Sequence, residues 1–336
     1  MSFCVVGTNH RFSPLEIREQ FSFPKKKLRE AFRSLKETPG IDAFWILSTC
    51  NRSEVYLWSD RDMDLPRLFF GLHEVPEETL SSFLYQYEEE EALRHFVRVT
   101  CGLDSQILGE PQIFGQVKQA ALWAKEAGSL KPQAIDWISR AIGAAEKIRK
   151  ETIEGAFSKT LADAAFELIR RNCREYSRKK FLLVGTGKVM GLFIPLLAVE
   201  SIRPVIVSNR NHEGAEVWAR ELGGKAAHLE DLPALIQGSD IIISATSCPK
   251  TVLHPEHFAG HSRTVLVLDL AVPRDAEASI KEVPGVKLFD LDDLGLAAVK
   301  NIPGVWAEAA GRRVQEECES LWRELSGSEQ EKVLSR

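Results

Sequence analysis

The sequence lacks any apolar run that approaches the roughly eighteen residues a membrane span requires. Its first residues, Met-Ser-Phe-Cys-Val-Val, also lack the basic stretch and long apolar segment of a secretory signal. The six cysteines, at positions 4, 50, 101, 173, 248 and 318, form neither CxxC pairs nor Cys/His clusters, which argues against a metal site or a disulfide framework. We therefore predict a cytoplasmic protein in a reducing compartment, with no membrane association.

An excess of charge of either sign is missing as well. The chain has 43 Lys and Arg residues against 48 Asp and Glu residues, a formal net charge of -5. This balance argues against nonspecific nucleic-acid binding by the whole surface, although a local basic face remains compatible with it. Internal repeats and low-complexity segments are absent from the sequence. At 336 residues the chain exceeds one ordinary core, so two or three domains are expected.

What the sequence does contain is a cysteine between two β-prone runs, in the segment Thr49-Cys50-Asn51-Arg52. Because asparagine favours turns, we expect Cys50 where the chain reverses between two strands. The guanidinium of Arg52 beside it would favour the thiolate, which is the nucleophilic form. The alternative interpretation is a small, inert residue buried at a strand end, since a single cysteine is weak evidence for catalysis.

A histidine and a glycine-rich loop follow in the next part of the chain. Glu88–Glu91 suit the first turn of a helix that continues to Val99 and carries His95 among apolar residues. By periodicity alone, such a histidine is more often structural than catalytic. The loop 102–116 combines three glycines with short polar side chains and opens a helix near Pro111, which suits binding of a small polar ligand.

These strings together resemble glutamyl-tRNA reductase, the first enzyme of the C5 route to tetrapyrroles. The matching strings are Ser-Thr-Cys-Asn-Arg-Ser-Glu, Arg-His-Phe-x-Arg-Val, and Gly-Leu-Asp-Ser-x-Ile-Leu-Gly-Glu-Pro-Gln-Ile-x-Gly-Gln-Val-Lys. The resemblance implies that Cys50 is the nucleophile and that His95 is important for activity. It also implies a glutamyl-binding pocket formed by Thr49, Asn51, Arg52, Ser105, Glu110, Pro111, Gln112 and Gln116.

A second region has the pattern of a dinucleotide-binding domain. The short apolar strand 181–184 runs directly into a glycine turn and a helix, the arrangement in which a pyrophosphate meets free backbone amides. Further strands at 204–208, 240–244, 265–269 and 286–289, with a helix at 213–222, predict a parallel sheet covered by helices. The predicted phosphate-binding residues are Gly185, Thr186, Gly187, Lys188, Val189, Met190 and Gly191.

The end of the second strand of this region indicates which nicotinamide cofactor is bound. NAD enzymes usually place Asp or Glu there, whereas this chain has Ser208, Asn209 and Arg210, which suit a 2′-phosphate and favour NADPH. The glycine loop departs from the family pattern, because its last interval is one residue longer and Pro195 falls early in the following helix. We therefore expect that helix to begin late, near Leu192.

The predicted fold class is α/β multidomain, with an α+β catalytic domain at 1–150 and a doubly wound, Rossmann-like NADPH domain at 151–300. The second domain includes a linking helix at 158–171, and hinge motion is expected near 151–158. Residues 301–336 are predicted to form a shortened helical dimerisation segment. Its helix, 304–330, carries an apolar stripe of Ala310, Val314, Cys318, Leu321 and Leu325.

The predicted function is NADPH-dependent reduction of glutamyl-tRNA to glutamate 1-semialdehyde, through a thioester on Cys50 and with release of tRNA. The resemblance further suggests a homodimer, with glutamate 1-semialdehyde aminomutase as a partner. Two alternatives stay open at the level of sequence. One is a nicotinamide dehydrogenase of the shikimate type, which the second domain alone resembles, and the other is a non-catalytic protein that binds tRNA or a tetrapyrrole enzyme.

Overall fold

The computed structural model describes residues 2–73, 75, 81–153, 161–208, 212–261, 263–294 and 304–334. The chain divides into two compact units, which are described separately: Met1–Ser158 with Asn301–Arg336, and Lys159–Lys300. The expected hinge near 151–158 and the start of the expected linking helix fall largely outside the described residues. Among the residues that are described, no helix is long and apolar enough to cross a membrane.

The first unit is built on an antiparallel sheet of four strands in the order β2-β3-β1-β4. Alternating side chains of these strands point to opposite faces, so each face buries its own apolar set. The strands are β1 (Ser2–Asn9), β2 (Ile41–Ser48), β3 (Arg52–Ser59) and β4 (Tyr85–Glu88). Sequence analysis missed β4, which is only four residues long and lies at the edge of the sheet.

Helices cover both faces of this sheet. On one face, Val55 and Leu57 pack with apolar side chains of α1 (Leu15–Gln20), α2 (Lys25–Glu37) and α3 (Leu65–His73). On the other face, Tyr56 and Trp45 pack with a second set of helices. Those helices are α4 (Glu89–Cys101), α5 (Pro111–Glu126), α6 (Pro132–Ile148) and, after the second unit, the long helix named α12 (Gly304–Leu334).

The apolar stripe predicted on α12 is buried within the first unit. Ala310, Val314, Cys318, Leu321 and Leu325 join the core formed with α4 and α6 of the same chain. An ion pair between Arg313 and Glu151, at 2.8 Å, lies beside this packing. The helix thus completes the core of the unit that carries Cys50, and its predicted role in a dimer stays a prediction.

The second unit is built on a parallel sheet of six strands in the order β10-β9-β8-β5-β6-β7. The strands are β5 (Phe181–Val184), β6 (Val205–Ser208), β7 (Lys225–His228), β8 (Ile241–Ser244), β9 (Val265–Asp269) and β10 (Val286–Phe289). Sequence analysis missed β7, because its Lys-Ala-Ala-His sequence has few apolar residues and lies at the edge. The predicted α/β multidomain fold with a doubly wound sheet is confirmed.

The strand order places a topological switch point beside β5, because the chain continues to β6 on one side and returns to β8 on the other. Ligands of open parallel sheets bind at the carboxyl ends of the strands at such a point. The helices described in this unit are α7 (Leu161–Asn172), α8 (Lys188–Gly191), α9 (Ile194–Val199), α10 (His212–Leu222) and α11 (Leu232–Gln237).

Candidate active site

Cys50 lies in the tight turn that joins β2 to β3. The backbone N–H of Thr49 donates to the carbonyl oxygen of Arg52 at 2.9 Å, which closes the turn. The N–H of Asn51 donates to the Thr49 hydroxyl at 3.1 Å, the local bond expected of a short polar side chain. Cys50 as a whole residue is half-buried in this turn, whereas its thiol group lies on the buried side.

The surroundings of Cys50 favour the thiol over the thiolate. Burial raises the pKa of Cys50 to about 12, with a further contribution from the nearby Glu110 carboxylate, and the positive charges of Arg18 and Arg52 only partly oppose this. The charge of Arg52 does act to lower the pKa of Cys50, as expected, but burial outweighs it, so the thiolate is not the favoured form. A thiol with this pKa needs a proton acceptor before it can attack a carbonyl group.

The guanidinium of Arg52 is engaged by two carboxylates. It donates to Oε1 of Glu54 at 2.7 Å and to Oδ2 of Asp104 at 3.3 Å. It also donates to the backbone oxygen of Asp104. Asp104 further accepts from Asn9 at 3.2 Å and pairs with Arg11 at 2.8 Å. Arg52 thus ties the Cys50 turn to the loop after α4, and its predicted contact with substrate stays a prediction.

Glu54 is the centre of a buried polar cluster that also holds His95. Its Oε1 lies 2.8 Å from Nε2 of His95, and its Oε2 accepts from the Tyr56 hydroxyl at 2.7 Å. The Tyr85 hydroxyl donates to Glu54 as well. Burial alone would raise the pKa of Glu54, but the charges of Arg52 and His95 outweigh it and hold that pKa below its usual range.

The cluster fits into the sheet because of the residue opposite Glu54. Gly7 of β1 pairs with Glu54 on one side and with Tyr85 on the other. A Cβ atom at Gly7 would lie 2.9 Å from Cγ of Glu54 and 2.4 Å from the Ser53 carbonyl oxygen. The glycine therefore leaves the space that the buried carboxylate occupies.

Sequence analysis missed four members of this cluster: Glu54, Tyr56, Tyr85 and Asp104. A signal for two of them was present, because Arg52, Glu54 and Tyr56 alternate along β3 and so share one face of the sheet. Two opposite charges on one face of an otherwise apolar strand are typical of a buried ion pair. Tyr85 and Asp104 carried no such local signal, since they reach Glu54 and Arg52 only through the tertiary fold.

The glycine-rich loop contributes Ser105 and Glu110 to the surroundings of Cys50. Ser105 is buried and hydrogen-bonds the Glu110 carboxylate. Burial nevertheless raises the pKa of Glu110, because the bond from Ser105 and the charge of Arg52 only partly oppose it. A carboxyl with a raised pKa beside a thiol is the type of group that accepts and returns a proton.

The remaining predicted substrate residues differ in their exposure. The helix α5 begins at Pro111, as expected, and there Pro111 and Gln116 are exposed. Oε1 of Gln112 and Oδ1 of Asn51 are buried atoms that have no hydrogen-bond partner in the described part of the chain. Buried acceptors without a partner are costly, so such atoms are suited to contact a bound ligand.

In the second unit, a cavity of about 270 Å³ lies at the switch point, at the carboxyl ends of β5, β6 and β8. Gly185 has a φ of +109°, and a Cβ atom there would lie 2.7 Å from the carbonyl oxygen of Ala245. This conformation favours glycine, because a side chain there would be strained and would meet Ala245, which also lines the cavity. Four residues predicted to bind the cofactor line the cavity: Gly185, Thr186, Gly187 and Ser208.

The other residues of the glycine loop form a helix that differs from the expected one. It begins at Lys188, not near Leu192, and it ends after one turn at Gly191. A second helix starts at Ile194 with Pro195 in its first turn, where proline is tolerated because no intrahelical donor is lost. Met190 is buried in the core, and Lys188 and Val189 belong to the short helix. Asn209 and Arg210 lie outside the described residues.

Two buried aspartates hold loops of the second unit in place, and one of these loops contains Thr246, which lines the cavity. Asp275 accepts from the Ser244 hydroxyl at 2.6 Å and from the backbone N–H of Thr246 at 2.7 Å, so it fixes the loop after β8. Asp269 accepts from the N–H groups of Ala271 and Ala276 at 3.1 and 2.8 Å. Burial raises the pKa of Asp269 to about 7 in spite of these bonds. Among the described residues, no cluster suitable for a metal ion is present.

Comparison with known proteins covers both units. Residues 6–152 match the family described as "Glutamyl-tRNAGlu reductase, N-terminal domain", and residues 167–296 match "Shikimate / quinate 5-dehydrogenase". Because the second match covers only the second unit, it does not favour a shikimate-type enzyme for the whole chain.

Relatives named glutamyl-tRNA reductase are similar over most of the chain. The "Glutamyl-tRNA reductase 2" of Koribacter versatilis is 33% identical over 92% of this chain and 72% of its own length. The glutamyl-tRNA reductase of Desulforudis audaxviator is 35% identical over 88% of this chain and 68% of its own length. The structure of the Methanopyrus kandleri enzyme is 27% identical, with a TM-score of 0.52, over 99% of this chain and 82% of that one. The chain therefore belongs to the glutamyl-tRNA reductase family.

Proposed function

We propose that this protein reduces the glutamyl group of glutamyl-tRNA to glutamate 1-semialdehyde, with Cys50 as the nucleophile and NADPH as the reductant. This is the first step of the C5 route to tetrapyrroles. The observation that carries the proposal is the similarity to glutamyl-tRNA reductases across both units. It is supported by the cysteine turn in the first unit and by the cavity at the switch point of the second. A binding protein without turnover would have no need for both features.

The first half-reaction transfers the glutamyl group to Cys50. Because the thiol has a raised pKa, we assign the proton acceptor to the Glu110 carboxylate, which lies close enough to raise that pKa further. The sulfur attacks the ester carbonyl carbon, the bond from that carbon to the ribose oxygen breaks, and Glu110 returns its proton to that oxygen. The products are a thioester on Cys50 and free tRNA.

The second half-reaction reduces the thioester. A bound nicotinamide cofactor would supply a hydride to the thioester carbonyl carbon, a two-electron reduction. The carbon–sulfur bond then breaks, the aldehyde leaves, and the Cys50 sulfur takes up a proton. The high pKa of Cys50 favours this last step, because the sulfur returns to the thiol state at neutral pH. His95, held by Glu54, is proposed to orient the substrate or transfer a proton.

A substitution at Cys50 tests the covalent mechanism. Purified Cys50→Ser protein, given charged glutamyl-tRNA with and without NADPH, should form no acyl-enzyme and lose at least about a thousandfold in semialdehyde formation, since a hydroxyl is a far weaker nucleophile at neutral pH. The matched control is Cys173→Ser, which changes another half-exposed cysteine and should keep full activity. Normal turnover by Cys50→Ser would exclude the mechanism.

The nucleotide cavity is tested by two glycines of one loop. Gly185→Ala should weaken NADPH binding at least tenfold, because the new Cβ atom meets the Ala245 carbonyl oxygen and the φ of +109° is strained for alanine. Gly187→Ala is the matched control, since its Cβ atom would lie 3.7 Å from the same oxygen. Titration by fluorescence with NADPH and NADH measures both the loss and the cofactor preference. Equal affinity of the two variants would contradict the assignment.

We further infer that glutamate 1-semialdehyde aminomutase receives the product and that the protein acts as a homodimer. An α-amino aldehyde is labile, so direct transfer to the next enzyme would protect it. Both inferences rest on the family resemblance. Size-exclusion chromatography with light scattering, with and without the aminomutase, measures both.

A further inference from the structure

A second cavity lies in the first unit, beside His95 and on the side of α4 that faces the end of β1. Its volume is about 230 Å³, and its walls include Phe12, Tyr87, Glu91, Arg94, His95 and Arg98. Neither the glutamyl pocket nor the nucleotide cavity described above uses Phe12, Tyr87 or Arg98. The composition of these walls indicates what the cavity binds.

One wall of the cavity carries positive charge. Arg94 and Arg98 are one turn apart on α4, so they lie on the same face of the helix. Arg94 pairs with Glu90 at 2.7 Å, and Arg11 pairs with Asp104 at 2.8 Å. Arg98 is half-buried, and within the described part of the chain its guanidinium makes no hydrogen bond or ion pair. A guanidinium without a counter-charge in a concave site favours a phosphate group.

The cavity is also lined by aromatic side chains. The Phe12 ring is 40% exposed although it contacts Tyr85, with ring centroids 4.8 Å apart. The Tyr87 ring lies against His95 at 5.0 Å. Exposed aromatic rings beside cationic side chains are typical of sites where an unpaired base stacks. The carboxylate of Glu91 adds an acceptor for an amino group or a ribose hydroxyl.

Two residues connect this cavity to the Cys50 turn. Asn9 and Asp104 line the cavity, and Asp104 also accepts hydrogen bonds from Arg52, two residues after the nucleophile. The ester that Cys50 is proposed to attack joins glutamate to the terminal ribose of the tRNA. The nucleotide that carries this ester must therefore lie next to the turn.

We propose that this cavity binds the 3′-terminal nucleotide of glutamyl-tRNA, with its phosphate on Arg98 and its base against Phe12 and Tyr87. The inference rests on the proposed function, because it assumes that an aminoacyl-tRNA is the substrate. It makes Arg98 and Phe12 binding residues that recognise the end of the RNA, separate from the groups that recognise glutamate.

The test combines a nucleotide deletion with side-chain substitutions. Uncharged tRNA specific for glutamate is compared with the same RNA lacking its terminal adenosine, at one fixed salt concentration. Wild-type protein should bind the complete RNA about tenfold more tightly, the size of one stacked and phosphate-bound nucleotide. In Arg98→Gln and in Phe12→Ala the two RNAs should bind within about twofold of each other. Arg98→Lys, which keeps the charge, should recover part of the difference.

The shortened RNA is an internal control for folding, since its affinity should be the same for wild type and variants. The matched control protein is Arg67→Gln, which removes an exposed arginine of α3 on the other side of the sheet and should keep the tenfold difference. Equal binding of both RNAs by wild type, or a tenfold difference that survives in Arg98→Gln, overturns the proposal. These titrations measure binding and involve no turnover. The proposed function is tested separately, and it fails if wild-type protein makes no semialdehyde.

Discussion

Two buried carboxylates, one in each unit, differ in the groups that surround them and in the direction of their pKa shifts. Glu54 in the first unit lies beside the guanidinium of Arg52 and the imidazole of His95, and its pKa is lowered. Asp269 in the second unit accepts hydrogen bonds from the backbone N–H groups of Ala271, Ala276 and Asp275, and burial raises its pKa to about 7. Dipoles alone therefore do not offset the loss of water around a carboxylate, whereas a charged partner does.

The difference corresponds to two structural roles. The charged cluster around Glu54 connects three segments of the first unit, namely β3, the loop with Asp104, and the helix with His95. The aspartates of the second unit hold local loops, within seven residues for Asp269 and about thirty for Asp275. The first arrangement fixes distant parts of the candidate active site relative to each other, and the second holds loops at one end of the parallel sheet.

The largest expected effect comes from removing the charge of Glu54. Glu54→Gln leaves Arg52 with Asp104 as its remaining carboxylate partner, so we expect a loss of about 3–5 kcal/mol of stability, the usual cost of breaking a buried ion pair. Hydrogen exchange of the β3 backbone, residues 52–59, should accelerate by at least a hundredfold, while β9 of the second unit should be unchanged.

A double substitution separates the ion pair from the packing. Arg52→Met with Glu54→Leu removes both charges and keeps similar volumes, so it should lose less stability than the sum of the two single changes. An additive loss, or equal acceleration in β3 and β9, would contradict the view that the pair stabilises the first unit locally.

A smaller effect is expected from acid on the second unit. Asp269 has a pKa of about 7 in the folded state, above its value of about 4 in the unfolded state. Between these two pH values the folded protein holds the proton and the unfolded chain does not. Lowering the pH from 7.5 to 5 should therefore stabilise this unit by about 2–3 kcal/mol, and Asp275, whose pKa burial also raises, acts in the same direction. Exchange rates of β9, corrected for the intrinsic pH dependence, measure this gain.

Asp269→Asn is the matching control, because an amide does not titrate. Its β9 should gain much less protection on acidification than that of wild type. The same gain in both proteins would assign the effect to other groups.

The two units also differ in how much of their structure the sequence predicts. The nucleotide cavity depends on local patterns, a strand followed by Gly185 and Gly187, and these were predicted because the turn that glycine permits is a local property. The interrupted helix after Gly191 was misplaced, since Pro195 fits equally well in the first turn of a second helix.

In the first unit, the turn around Cys50 and the helix start at Pro111 followed from turn and capping preferences. The state of the thiol did not, because it depends first on burial of the thiol by the folded chain and then on the charge of Glu110, sixty residues away. A charge next to a cysteine in sequence indicates little until its own partners are known. Burial of the site and charges from distant parts of the chain are therefore what the local sequence pattern could not predict.

The smallest expected effect concerns a second buried group of the first unit, His73. Its ring lies among Phe21, Phe23 and Phe69, and both of its nitrogens are without a hydrogen-bond partner in the described residues. Burial, assisted by the charge of Lys27, lowers the pKa of His73 to about 2. Because the unfolded chain takes up a proton below about pH 6.5, the first unit loses stability as the pH falls, opposite to the second unit.

His73→Phe removes this proton uptake and two unpaired nitrogens, and it keeps an aromatic ring of similar size. At pH 5 the first unit of the variant should be more stable than that of wild type by about 2 kcal/mol. At pH 8 the histidine is neutral in both states, so only the smaller gain from removing two unpaired buried nitrogens remains. Exchange of the backbone of α3 at the two pH values measures the difference. A gain of equal size at both values would mean that packing, not titration, limits the stability of this unit in acid.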